Sequence, residues 1–294
     1  MKDRILIPVH NRREITLACL RHLQLQGDLH PGRVLVIDDG STDGTSTAIR
    51  QAFPEVALLP GTGDLWWTGA IALGMEAAFA GGAEAVYWLN DDCLPDPGTL
   101  AALEAAAEGG PGGPRALVAP VCVNAETGAP VPTAFSGRVP CSDPGGRAAA
   151  VDGLSGFCVR IPRVAWERLG GPDPYAFPHY YGDTAYTLKA SRAGLPCLLL
   201  GAARARLVHY APRPVAVSDY VQDPGGGIRS WPEVFRSKRS PFRLATQRAY
   251  LRLRYGAVAG SVLGVSRGIA WQWSWWRATS RARRSLPPPR RSGM

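Results

Sequence analysis

The sequence predicts an α/β domain with a mostly parallel central sheet, helices on both faces, and a basic helical C-terminal extension. Three observations carry this expectation. Short apolar runs alternate with helical patterns over the first two hundred residues; the acidic pairs Asp38-Asp39 and Asp91-Asp92 each close such a run; and the charge changes sign along the chain. Strands buried on both faces read as continuous apolar runs, and the helices between them supply the crossovers. With 294 residues, 46% of them hydrophobic, the chain can bury a substantial core, which excludes a disordered protein.

The elements follow in order. Residues 4–9 read as a first strand and 14–26 as a helix, in which Ile15, Cys19, Leu20 and Leu23 recur at helical spacing. Residues 33–37 form a second strand. Asp39-Gly40-Ser41-Thr42-Asp43-Gly44 then supplies turn and cap residues before a helix through Ala48, Ile49, Ala52 and Phe53. A third strand at 56–59 precedes a Gly-rich connection, a helix from about 69 to 79, and a fourth strand at 85–89. An Ala-rich helix (99–108) and a strand (116–123) come next. The stretch 124–146, rich in Gly, Pro and Ser, is expected to be a loop or irregular hairpin. Residues 156–161 resume a strand, 163–169 a short helix, and 183–193 a helix ended by Gly194; 195–200 and 206–210 are late strands. The domain boundary is placed after Ile228, and 286–294, with Pro287-Pro288-Pro289, is expected to be disordered.

Asp91 and Asp92 stand where a strand ends, and that edge of an open α/β sheet is where ligands bind. Adjacent carboxylates repel unless a cation compensates, and Mg²⁺ or Mn²⁺ prefers oxygen ligands shared with phosphates. A turn or helix cap before Pro95 and Pro97 is the plainer alternative. Asp38 and Asp39 close the second strand as Pro8, His10 and Asn11 close the first. A carboxylate there can accept a nucleobase N–H or a ribose hydroxyl, and Gly40 lets backbone approach a ligand. An Asp cap with a Gly turn is again the plainer reading, and Asp43 reads only as that.

Ile7-Pro8-Val9-His10-Asn11, Val36-Ile37-Asp38-Asp39-Gly40-Ser41 and Leu89-Asn90-Asp91-Asp92 occur in order, each after a strand. This arrangement resembles the family 2 glycosyltransferases of the GT-A fold, a rhamnosyltransferase-like enzyme among them. The resemblance extends through Gly63-Asp64-Leu65-Trp66-Trp67-Thr68-Gly69-Ala70, Gly153-Leu154-Ser155-Gly156, His179-Tyr180-Tyr181-Gly182-Asp183 and Val208-His209, roughly residues 4–210. It implies that Pro8, His10, Asn11, Asp39 and Gly40 hold the base and ribose of a nucleotide-sugar donor, with Trp67 and Gly69 beside its diphosphate and sugar. It further implies that Asp92 binds Mn²⁺ or Mg²⁺ with Asp91 in support and His209 joining, and that Asp183 is the general base of a single, inverting displacement.

The residues alone leave other roles open. Asp183 could cap its own helix, His209 could be a structural histidine, and Trp66, Trp67, Trp88 and Tyr181 could be core. The chain also departs from the family pattern in three places: Asn90-Asp91-Asp92 in place of Asp-x-Asp, Ala185 where another acid is frequent, and Ala72 where Asn is frequent. The implied donor is a UDP- or dTDP-sugar and the acceptor a hydroxyl on a glycan or lipid-linked glycan, as in envelope polysaccharide synthesis. A sugar nucleotidyltransferase would need a Gly-rich phosphate loop where Pro8-Val9-His10-Asn11 stands. A non-catalytic, membrane-associated nucleotide-sugar-binding protein is the third reading, against which Asp39, Asp92 and Asp183 weigh.

Residues 1–228 hold 18 basic and 23 acidic side chains, whereas 229–294 hold 15 basic ones and only Glu233. Five tryptophans (Trp231, Trp271, Trp273, Trp275, Trp276) accompany those arginines. The uncharged run 255–266 is far short of the roughly 20 residues a spanning helix needs. Two readings of the extension stand: peripheral contact with an anionic membrane, or a solvated helix part of which packs on the catalytic domain. No nucleic-acid-binding motif accompanies the charge. The six cysteines form no CxxC pair, zinc spacing or disulfide framework, and the apolar run Ile5-Leu6-Ile7-Pro8 is too short for a signal peptide. A reduced, cytoplasmic protein, with the membrane's inner face as its peripheral site, is therefore expected.

Overall fold

The computed structural model describes residues 3–110, 112–210, 216–222 and 227–285; the expected disorder at 286–294 lies outside the described residues. The chain clusters into two compact units, Met1–Tyr210 and Ala211–Met294. The division drawn from the sequence, after Ile228, falls within the second unit.

In the first unit the chain runs β1 (Asp3–Val9), α1 (Arg13–Leu25), β2 (Val34–Asp38), α2 (Thr45–Ala52), β3 (Ala57–Pro60), α3 (Trp66–Ala80), β4 (Ala85–Leu89), β5 (Cys93–Pro95) and α4 (Thr99–Gly109). It continues with β6 (Leu117–Asn124), β7 (Ala134–Ser136), β8 (Val139–Cys141), β9 (Ala148–Val151), β10 (Gly153–Leu154), β11 (Cys158–Pro162), α5 (Arg163–Leu169), α6 (Gly182–Arg192) and β12 (Cys197–Leu207). The main sheet has the order β3-β2-β1-β4-β11-β6-β12-β5, with β9 paired to β12. Side chains alternate across it. Ile5, Ile7, Val36, Tyr87 and Leu89 meet α1, α2 and α4 on one face. Leu6, Ile37, Val86 and Trp88 meet α3, α5 and α6 on the other. The expected helix layers on both faces are present.

Two sequence expectations need correction. The sheet is mixed: β1 pairs in parallel with β2 and β4, but β11 runs antiparallel to both β4 and β6. The two late strands are one strand, β12, whose register shifts between Leu200 and Arg204, and it ends at Leu207. Gly201 marks the irregularity; a Cβ there would lie 2.7 Å from the Gly146 nitrogen. The 124–146 stretch holds the expected hairpin, β7 with β8, which joins β10 in a small antiparallel sheet.

In the second unit, α7 (Val217–Val221) and α8 (Trp231–Phe235) join α9 (Leu244–Tyr255) and the long α10 (Ala257–Ser285). Val217, Val221, Val234, Phe235 and Phe242 form its core, with Trp231, Trp271 and Trp275 packed against them. Three of the five tryptophans of the extension are therefore packing residues. Gly256, at φ 86°, turns the chain from α9 into α10. Glycines at four-residue spacing then let the helices touch: a Cβ on Gly260 would lie 2.3 Å from the Leu251 carbonyl oxygen, and one on Gly264 3.1 Å from Arg248 Cγ. Among the described residues no helix is long and apolar enough to cross a membrane.

Candidate active site

Because β1, β2 and β4 are parallel neighbours, the residues after their C-termini share one sheet edge. Asn11 leaves β1 in the left-handed conformation, φ 52°. Its Oδ1 accepts the Thr42 N–H at 2.7 Å, and its own N–H donates to Ser41 Oγ at 2.8 Å. His10 Nδ1 lies 2.6 Å from the Asp39 carbonyl oxygen. These bonds knit the ends of β1 and β2 together and leave the side chains of His10 and Asn11 exposed. Pro8 is half-buried within β1, in register with Ile37.

Asp39, expected on the nucleobase, has protein partners at both oxygens: Oδ1 accepts the Gly63 N–H at 2.7 Å and Oδ2 the Trp66 N–H at 2.9 Å. It anchors the connection from β3 to α3, and each oxygen retains a lone pair for a ligand. Gly40, at φ 71°, faces that connection, where a Cβ would come within 2.9 Å of Gly63 Cα. Gly69 is buried in α3 against Leu65 and Pro174, a packing position rather than a lining one.

Asp91 is buried and accepts Thr16 Oγ1 at 3.0 Å. Arg12 Nε lies 3.0 and 3.1 Å from its two oxygens, and Arg12 Nη2 donates to Asp92 at 2.7 Å. Burial holds the Asp91 carboxyl up at about 6; Arg12 pulls it down and Asp92 pushes it up. The cation that compensates the pair in this structure is thus a guanidinium of the same chain. Asp92 is only partly covered, and the Val208 N–H donates to its carbonyl at 2.9 Å, which brings the His209 backbone alongside. The His209 ring is exposed. Among the described residues no three His, Cys, Asp or Glu side chains gather as a complete ligand set. Asp92, a hard oxygen donor that is only partly covered, nevertheless suits a divalent ion that takes its remaining ligands from a diphosphate and water.

Asp183 lies in the first turn of α6, while the cap position is Tyr181, at φ 68°, without a side-chain cap bond. The helix-cap reading is therefore corrected. Its Oδ2 accepts the Gly156 N–H at 2.6 Å and its Oδ1 the Thr184 N–H at 2.7 Å. A Cβ on Gly156 would lie 2.6 Å from Trp67 Cζ2 and 2.8 Å from Asp183 Cβ. Trp67 in turn donates from Nε1 to Asn90 Oδ1 at 2.8 Å and meets Trp88 edge-on at 5.6 Å. One wall, Trp67 with Gly156, thus joins the acidic pair after β4 to the carboxylate of α6.

Among the described residues, the non-glycine residues with left-handed backbone are Asn11, Trp66, Tyr181 and His209. Each lies in a segment that the sequence assigned to the site. Such conformations cost on the order of 1–3 kcal/mol and gather at functional sites. Sequence reasoning missed Arg12, Thr16 and the role of Asn90. A basic residue following the first strand, opposite two carboxylates, was the available signal for Arg12. Ala185 is buried, so the position where an acid is frequent faces core in this chain.

Residues 4–114 match the profile of Glycosyl transferase family 2. No curated protein matches the sequence. Among solved structures, GalNAc-T7 with UDP, GalNAc and Mn²⁺ aligns with a TM-score of 0.57 at 14% identity, covering 86% of this chain and 48% of that one. The mannosyltransferase PcManGT from Pyrobaculum calidifontis, in complex with GDP-Man and Mn²⁺, aligns at 0.54 and 17% identity, covering 98% and 76%. TarS of S. aureus aligns at 0.53 and 16%, covering 75% and 38%. The chain spans about half the length of the first of these. The fold is that of GT-A glycosyltransferases with a helical C-terminal region, and the match to the family 2 profile is confined to residues 4–114. Nothing in these likenesses singles out rhamnose.

Proposed function

We propose that this chain, with its family 2 segment on a GT-A fold, is an inverting, metal-dependent glycosyltransferase. It would move a hexosyl or deoxyhexosyl group from a UDP- or dTDP-sugar to a hydroxyl on a glycan or lipid-linked glycan. The observation that carries this reading is the wall formed by Trp67 and Gly156, which ties Asn90, next to the acidic pair, to Asp183 on one sheet edge.

In this reading Asp183 takes the proton of the acceptor hydroxyl as its oxygen attacks the anomeric carbon. Two backbone N–H bonds fix its orientation beforehand. His10, Asn11 and Asp39 present exposed polar groups or spare lone pairs at the ends of β1 and β2 for the base and ribose. Asp92 would hold Mn²⁺ or Mg²⁺, with Asp91 behind it and His209 beside it. Bound there, the ion offsets charge on the departing nucleoside diphosphate. Peripheral contact of the basic extension with the inner face of a membrane belongs to the same reading, since it would keep the enzyme near lipid-linked acceptors.

Calorimetric titration with UDP, dTDP and GDP, each with Mn²⁺ and with EDTA, tests the proposal. Metal-dependent binding of one nucleotide is expected. Binding of none of the three would overturn it.

A further inference from the structure

The outer face of α10 presents a continuous apolar stripe. Val258, Val262, Val265, Ile269, Trp273 and Trp276 are between 49 and 81% exposed. Their spacing of four, three, four, four and three residues places them on one arc about 80° wide, about 27 Å long at helical geometry. No charged side chain interrupts the arc. Its far end carries Trp273 and Trp276 stacked with ring centroids 5.0 Å apart, followed by Arg277 and Arg281. The large aromatics that α10 uses for packing, Trp271 and Trp275, lie on another side. A soluble amphipathic helix normally turns such a stripe toward its own core; here the side turned toward α9 is glycine.

We infer that this stripe is a docking surface for an anionic lipid bilayer, on which α10 lies along the interface with Val258 through Trp276 inserted among the headgroups. Charge decides between possible occupants. The segment 229–294 holds 15 basic residues and one acidic one, which complements an anionic surface, whereas a second copy of the helix would bring the same positive charge to the contact. Tryptophan rings beside arginines match the headgroup layer, where the ring is partly buried and the guanidinium meets phosphate. This deepens the peripheral-membrane part of the proposed function by naming the face that docks, and the binding itself requires no sugar transfer.

The test is co-sedimentation of the full chain with vesicles of phosphatidylcholine alone and with roughly one-third phosphatidylglycerol, at low and high salt. Binding is expected only to the anionic vesicles, weakened by salt, with a blue shift of tryptophan emission. The exposed double variant Val262→Glu/Ile269→Glu should lose at least about tenfold in partitioning, while Ile269→Leu should keep it. Circular dichroism would show that both variants fold. Unchanged partitioning of the double variant, or equal binding to both vesicle types, would overturn the assignment. So would a dimer in light scattering that Ile269→Glu dissociates, which would make the occupant a second copy. None of these readouts involves nucleotide or turnover, so failure here is separable from failure of the transferase reading.

Discussion

Arg12 bonds to both members of the carboxylate pair, through Nε to Asp91 and through Nη2 to Asp92 at 2.7 Å. One planar guanidinium thereby orients a buried acid and a half-covered acid together. Arg12→Gln should lower the stability of the EDTA-treated protein by about 1 kcal/mol, the pair being partly solvent-exposed. Added Mn²⁺ should restore the melting temperature, because the ion then supplies the missing positive charge. Equal melting temperatures for variant and wild type in EDTA would show that the bond has no energetic weight.

Asp92→Ala removes the more exposed oxygen donor while leaving Asp91 on Arg12 and Thr16. Calorimetry should show metal-dependent nucleotide binding weakened at least about tenfold and metal-independent binding unchanged.

Asp183→Asn keeps an oxygen to accept the Gly156 N–H and should therefore fold and bind donor as the wild type does. Transfer should fall by about 10² to 10⁴, the usual contribution of a general base. Full activity in this variant would refute the assignment of the base.

Asp91 gives the pH prediction. In metal-free protein, burial raises its carboxyl to about 6. Between the unfolded carboxylate value, roughly 4, and 6, the folded state keeps a proton that the unfolded state has released. This group therefore makes folding less favourable as pH rises through that window. The melting temperature of wild type minus that of Asp91→Asn, measured in EDTA, should fall across the window and level off above it. A rising difference would mean that Arg12 outweighs burial.

Gly260→Leu should destabilise the second unit by roughly 2–3 kcal/mol, since even a Cβ there would lie 2.3 Å from the Leu251 carbonyl oxygen of α9. Thermal melting and limited proteolysis would register it. Unaltered melting would show that the two helices can separate at little cost.

The parallel half of the fold was legible because the apolar runs of β1, β2 and β4 are bounded by turn residues and largely buried on both faces, so composition and conformation agree. The antiparallel part was not. Residues 158–162 look the same in sequence whichever way they pair, and the long β12 was read as two strands because Gly201 and its neighbours interrupt the apolar run at the register shift. At the site, Asp91, Asp92 and Asp183 were legible as acids closing or opening elements. What sequence could not supply was partnership. Whether Asp39 faces a ligand or the Gly63 and Trp66 amides, and whether the counter-charge to Asp92 is an ion or Arg12, depends on contacts between residues 24 to 80 positions apart.

The pairing of α9 with α10 inverts the usual division of labour in a soluble helix. Each interior glycine sacrifices about 1 kcal/mol of helix propensity relative to alanine, and Gly260, Gly264 and Gly268 do so in succession. Close backbone approach is the return, and it leaves the bulky residues of the outer stripe with nothing to fill inside their own unit. The hairpin is thus assembled inside-out: its inner seam tolerates no added atom at Gly260 and grows roomier towards Gly268, whereas its outer surface can exchange one large apolar side chain for another with little effect on folding. Mutational tolerance along α10 should therefore rise and fall with a helical period, smallest at the glycines and greatest on the face that looks most hydrophobic.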